Sequence, residues 1–364
     1  MIAEVHGDVC RLGYLKLIPC ILEDGSPRSA DYLASVLYET CRALVDDVGE
    51  MLGMLRTEVN ARNYVKLAAQ LGFYDRVSGK PGLYGAAYIC LNSSEALRKH
   101  VSGERTAMVS EVLRLTDVEK TLFLHALLSR DFYIFSGMLR WMADVHEFSR
   151  LEAMYAVMEE VYPEALRRLL KRLPERRRAM VQKELELAAS FREERLKYAS
   201  KAEWIKSRLY AKYRHFVPPR LEWMVDIGFL ERVKRARYKV SQKFLKNVRE
   251  LSDVFEKPVE RVDQTFFTTF VPLFHSVRIG GQRSEMQALL DVYRVLHRAL
   301  GKVKLNVLCL AAAYRLLEEG YRSTPASVSR AFSYLSLLHS DRVFTSISDD
   351  GSPEVTLLDI QAVE

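Results

Sequence analysis

Residues 218–242 read PPRLEWMVDIGFLERVKRARYKVSQ. The Pro218-Pro219 pair breaks the helix before it, a short helix follows from Arg220 to Asp226, and Gly228 stops it. Phe229 to Val233 and Arg237 to Ser241 are strand-like and flank Lys234-Arg235-Ala236, which makes a tight hairpin. Five cations, Arg232, Lys234, Arg235, Arg237 and Lys239, stand within eight residues of this hairpin. Arg214, His215 and Arg220 lie at the entry to the helix that precedes it.

The same order, helices and then a hairpin, is read twice more. Near the N-terminus, Ser26-Pro27 starts a helix marked by Leu33, Val36, Leu37, Cys41, Leu44 and Val48. A second short helix runs through Met51, Leu52 and Leu55, and a third from Ala61 to Leu71 stops at Gly72. Phe73 to Val77 and Leu83 to Leu91 then read as two strands around a Gly-Pro turn that carries Lys80. On the third helix Arg62, Lys66 and Gln70 recur every four residues and share one face, with Asn63 beside them. At the C-terminal end, Val303 to Leu317 is an apolar helix ended by Gly320. Thr324-Pro325 caps and starts another. Val343 to Ile347 and Val355 to Leu358 flank a turn that carries Asp349 and Asp350.

The stretch 218–242 is similar to the last helix and wing of prokaryotic winged-helix DNA-binding domains. In those, a helix ending in Asp-Ile-Gly or similar is followed by Phe-Leu-Glu and a second strand, as in Asp226 to Glu231 here. The N-terminal unit shares the order. One departure is that the helix before Pro218 is not cleanly divided into two. The resemblance implies a third helix in the major groove and a hairpin wing on the backbone. It makes Arg232, Lys234, Arg235, Arg237 and Lys239 a wing suited to phosphates. Arg62, Asn63, Lys66 and Gln70 are side chains that suit base edges and phosphates. The expected fold is mainly α, with multiple winged-helix units carrying short β-hairpin wings and joined by a helical bundle. The expected segments are 1–103, winged-helix-like; 104–200, a helical spacer; 201–250, basic and winged-helix-like; 251–300, a helical connector; and 301–364, winged-helix-like. Within the spacer, Thr116 to Glu119 has the pattern of a capping box, and a long charged helix is expected from Glu175 to Ser200.

Charge is unevenly spread over the 364 residues. From Leu166 to Glu250 there are 25 Lys or Arg against 10 Asp or Glu, a balance of +15. The net charge is +7, so the rest of the chain carries −8. Arg outnumbers Lys 36 to 18, and a guanidinium is the better fork for phosphate. Such asymmetry points to a polyanion. A solvated helix accounts for Lys183 to Lys201, where acids alternate with bases, but not for the acid-free runs Lys206 to Arg220 and Arg232 to Arg249.

Several classes are set aside. The longest runs free of Asp, Glu, Lys and Arg are fourteen residues, 81–94 and 264–277, short of the roughly 20 that span a bilayer. The start, MIAEVHGDVC, has no apolar stretch of a secretory signal, so a cytoplasmic protein is expected. Five cysteines without a CxxC pair read as buried small hydrophobes. Five Asn and seven Gln beside many charges resemble proteins that work hot. No HExxH, Walker or GxSxG motif is present, and Gly280-Gly281 in RIGGQR reads as a plain turn. Glu203, Glu222 and Asp226 are expected to pair with neighbouring bases. No cofactor, metal or catalytic residue is assigned.

The expected function is non-catalytic binding of double-stranded DNA, as a regulator or as the DNA-reading subunit of a larger prokaryotic complex, defence-related among the options. A protein-interaction scaffold is the alternative, and a nuclease with an unrecognised site a third. The acids of the C-terminal hairpin, Asp349, Asp350 and Glu354, repel phosphate. Residues 301–359 are therefore expected to contact protein, a partner or a second copy, with Arg330 and Tyr334 as the contact residues.

Overall fold

The computed structural model describes residues 2–49, 54–256 and 262–358. The chain is mainly helical, with four small sheets of two or three strands among the described residues. It divides into two compact units: Met1–Arg11 with Ala126–Val262, and Leu12–His125 with Asp263–Glu364. Residues 12–103 and 301–364 thus fall in one unit, and 126–250 in the other.

In the first unit the long element is the helix Arg208–Ile227. It continues through Pro218 and Pro219, where the sequence suggested a break, and the division comes earlier, at Ser207, between the helix Lys201–Lys206 and this one. Proline removes the donor to the carbonyl four residues earlier. Those carbonyls belong to Arg214 and His215, both exposed, where water can pair them. The helix ends at Gly228, whose φ of 90° is a left-handed cap that favours glycine. The charged helix expected from Glu175 to Ser200 is two helices, Glu175–Ala189 and Phe191–Leu196. Tyr155, Tyr162, Phe191, Trp204 and Tyr213 pack ring to ring beneath them.

A buried ion pair crosses this unit. Arg220 and Asp131 are both wholly buried, with Nε to Oδ2 at 2.7 Å and Nη2 to Oδ1 at 3.1 Å. Arg220 also donates to the carbonyls of Phe216 and Ala3, and Asp131 accepts from the Ala3 N–H.

The second unit holds the N-terminal and C-terminal helical groups. Ala30–Arg42 packs on Glu58–Leu71, which ends at Gly72 with φ of 80°. Met51 and Leu52 of the expected second helix lie outside the described residues; Leu55 is outside any helix. The hairpin is reduced to Tyr74–Asp75 paired with Lys80–Pro81, and the expected strand Leu83 to Leu91 is instead the helix Leu83–Ile89. A short run that is apolar throughout does not reveal its period. The deciding contact is backbone on backbone: a Cβ at Gly82 would lie 2.5 Å from the Gly72 carbonyl oxygen. The capping box is present, with Thr116 N–H on Glu119 and Glu119 N–H on Thr116 Oγ1.

In the C-terminal part, Gln282–Leu300, Leu305–Glu318 and Pro325–Leu338 pack mutually. A three-stranded antiparallel sheet completes it, with Pro353–Leu357 between Val303–Lys304 and Val343–Ile347. Thr324 caps the third helix and Pro325 begins it, as read from the sequence.

Removing Asp131 leaves a buried guanidinium unpaired, which typically costs about 3–5 kcal/mol. Asp131→Ala is therefore expected to lower denaturant stability by that order, while Arg220→Met with Asp131→Leu recovers most of the loss. A single variant as stable as the wild type in urea unfolding would show that the pair does not hold the unit.

Candidate nucleic-acid interface

The hairpin of the first unit pairs Leu230–Lys234 with Arg237–Val240, and Glu147–Ser149 pairs with the second strand from the other side. Leu230, Tyr238 and Val240 point into the core, while Lys234, Arg237 and Lys239 are exposed. Lys234 faces Arg237, so the turn is only Arg235-Ala236, and Ala236 takes a left-handed φ of 70°. Its carbonyl accepts from the Arg150 N–H at 2.8 Å, which fixes the turn against the rest of the unit.

The root of the hairpin is a polar cluster around Glu222, whose side chain is 3% exposed. It accepts from Tyr238 Oη at 2.6 Å and pairs with Arg150 and Arg232. Burial, followed by the Glu222 charge, pushes the Tyr238 phenol well up, so it stays a donor. Asp226 pairs with Arg11 at 2.9 Å. Both carboxylates therefore pair with bases, as expected; Glu203 instead caps backbone, accepting from the Ala199 N–H.

This network sorts the expected contact residues. Lys234 and Arg235 are exposed with no carboxylate within ion-pair distance among the described residues, and Arg214 is likewise open. Lys239 is exposed between Glu147 and Glu231 in register. Arg237 is exposed but paired with Glu147 at 2.8 Å. Arg232 is a root residue held by Glu222 rather than a tip cation.

Three assignments are corrected. Arg220 has no exposed surface and is the partner of Asp131, so it makes no phosphate contact. His215 Nδ1 accepts from the Gly7 N–H at 3.1 Å, and a Cβ at Gly7 would collide with it. Lys80 donates to the Leu300 carbonyl at 2.7 Å, at the end of a helix, instead of facing solvent from a wing. The first two belong to a clamp. Along the helix Arg208–Ile227, His215, Arg220, Trp223 and Asp226 hold Gly7, Ala3, Val9 and Arg11 in turn. The spacing of those four side chains marks one helix face, but only on a helix that runs through both prolines.

On Glu58–Leu71, Lys66 is exposed and Arg62 is exposed but paired with Glu58 at 3.0 Å. Asn63 and Gln70 are half-buried. Arg330 and Tyr334 are exposed on Pro325–Leu338. The acids of the C-terminal hairpin are not bare: Asp350 pairs with Lys304 and Glu354 with Lys302. Hydrogen bonds from Lys304, Ser348 and Ser352 hold the Asp350 carboxyl well below the usual range.

Among the described residues no group of three His, Cys, Asp or Glu is placed to hold a metal ion. Burial pushes the Cys10 and Cys309 thiols up to about 12. RIGGQR is not a plain turn: Arg278–Ile279 is a short strand parallel to Tyr321–Arg322, Gly280 N–H bonds the Arg322 carbonyl, and Gly281, whose N–H bonds Ser284 Oγ, caps the helix after it.

Burial and the neighbouring Arg214 lower the His215 pKa below its ordinary value of 6.5. A lowered folded pKa means the contribution is complete above 6.5 and is lost as pH falls through the folded value. As pH falls below 6.5 and through the folded value, the protection of the Gly7 amide against hydrogen exchange is expected to fall, and in His215→Ala to be low and flat. Wild-type protection no higher than that of His215→Ala at neutral pH would contradict the clamp. No protein-family model, curated protein or solved structure matches the chain.

Proposed function

We propose that the protein is a non-catalytic nucleic-acid-binding protein that grips the backbone of double-stranded DNA with the hairpin of residues 230–240. The observation that carries this reading is the tip: Lys234 and Arg235 are exposed, have no acid partner among the described residues, and are mounted on a turn fixed by Arg150 and a root fixed by Glu222. A preorganised cation loses less freedom on binding than a mobile one. Arg237 and Lys239 are exposed on the adjoining strand, beside Glu147 and Glu231.

The C-terminal part supports a winged-helix reading of its own. Three mutually packed helices, a short strand after the first and a hairpin after the third are the parts of that unit. Its surface favours protein. Tyr334, Leu337 and Leu338 on the third helix and Phe344 and Ile347 on the edge strand are 44–80% exposed. A DNA-facing helix needs cations, and Arg330 is the one cation on this helix. The second reading is therefore that 301–358 holds a partner protein while the hairpin holds DNA.

Binding to duplex DNA is expected to weaken steeply with salt, with a log–log slope of about −0.9 for each phosphate neutralised. Lys234→Ala with Arg235→Ala should reduce that slope by about 2 and weaken all sequences alike. An unchanged slope would remove the hairpin from the interface. Arg330→Ala with Tyr334→Ala is expected to abolish association in sedimentation while DNA affinity is retained; the reverse outcome assigns 301–358 to DNA.

A further inference from the structure

We infer that the groove between residues 27–31, the helix Glu58–Leu71 and the turn 74–79 is a binding site for one phosphate group of a nucleic acid. The inference deepens the nucleic-acid reading and takes the source of the phosphate from it. The groove has a volume of about 620 Å³ and is lined by Arg28, Arg62, Lys66 and Arg76, with Asp31 as the single acid among its lining residues.

Three elements far apart in sequence bring these cations together. Arg62 and Lys66 stand one turn apart on Glu58–Leu71, Arg76 rises from the turn, and Arg28 belongs to the strap before Ala30–Arg42. Strap and turn are stitched together. Arg28 N–H donates to the Gly79 carbonyl at 2.9 Å, and Tyr74 Oη donates to the Arg28 carbonyl at 2.7 Å. Gly79 has φ of 70°, and a Cβ there would lie 2.9 Å from Arg28 N, so a larger residue would pry the two apart. The groove is thus built into the fold rather than formed on binding.

Charge decides what enters. Arg28 pairs with Asp24 at 2.8 Å and Arg62 with Glu58 at 3.0 Å, both near solvent, where such pairs are weak. Lys66 and Arg76 have no carboxylate within ion-pair distance among the described residues. Four converging cations repel one another, and an anion between them relieves that repulsion. Arginine forks match phosphate oxygens two at a time. A recess admits a phosphate on its sugar more readily than the edge of a stacked base pair, so Arg62 and Lys66 act as a phosphate clamp rather than as base readers.

The phosphate has two sources, an internal phosphodiester or a terminal 5′-phosphate. The test uses the full chain and fluorescence polarisation with a 3′-labelled duplex and with 3′-labelled single strands bearing a 5′-phosphate or a 5′-hydroxyl. Thermal unfolding in inorganic phosphate, against chloride at equal ionic strength, is the second readout. Lys66→Ala with Arg76→Ala, both exposed positions, is expected to weaken nucleic-acid binding about tenfold, to lower the salt slope by about 1 and to abolish the rise in Tm with phosphate. Lys234→Ala with Arg235→Ala should keep that rise. Weakening confined to the 5′-phosphorylated strand identifies the terminal group; equal weakening of all three identifies the internal one. A double variant that binds every probe and phosphate as the wild type does overturns the groove and leaves the hairpin reading intact. A wild type that ignores all three nucleic acids, yet is stabilised by phosphate through Lys66 and Arg76, overturns the nucleic-acid reading and keeps the phosphate site.

Discussion

A guanidinium cannot be taken out of water unless most of its donors find acceptors, and Arg220 has no exposed surface. Two of its bonds go to Asp131, one to Phe216 within its own helix, and one to the carbonyl of Ala3. Its face stacks over the Phe216 ring at 4.0 Å. The last acceptor ties the fold together, because Ala3 must lie against the helix for the charge to be satisfied, and Ala3 N–H in turn bonds Asp131. Once Ala3 is placed, Gly7, Val9 and Arg11 follow along His215, Trp223 and Asp226. The helix so fixed also carries Glu222 and ends at Gly228, so the base of the hairpin inherits its position.

What could be read from the sequence is what local chemistry decides. Gly72 and Gly228 end their helices in left-handed caps, Thr116 and Thr324 cap theirs, and the cation-rich turn at 234–237 is a hairpin. What could not be read depends on partners distant in sequence. Pro218 and Pro219 are helical and buried although each lacks a donor. Leu83 to Ile89 is helical because Gly82 and Gly85 let it sit on the backbone of residues 72–73. A local pattern carries neither fact.

Charge shows the same division. The balance of +15 over 166–250 was countable, but not which cations are free. Arg237 is matched by Glu147, 90 positions earlier, and Arg220 by Asp131, 89 earlier. The C-terminal turn errs in the other direction. Its acids looked bare in the loop, yet Lys302 and Lys304, beside and within the strand after the first helix, answer two of them. The sign of a small hairpin is set by the whole sheet. The case for protein contact at 301–358 therefore rests on the exposed Tyr334, Leu337 and Phe344 rather than on repulsion.

The hairpin tip and the groove share one kind of chemistry on the proposed reading. Each holds two cations with no acid partner among the described residues, beside backbone already fixed by hydrogen bonds, Arg150 to Ala236 in one and Arg28 to Gly79 in the other. Such sites bind by releasing counterions, and a phosphate is the same at every base. The residues best suited to read bases, Asn63 and Gln70, are half-buried, and the Gln70 carbonyl oxygen is enclosed in the protein with no hydrogen-bond partner among the described residues. Gln70 would have to turn outward to meet an adenine edge. Sequence preference must then come from the shape of the DNA, or from a partner that the apolar face of the C-terminal part holds beside it.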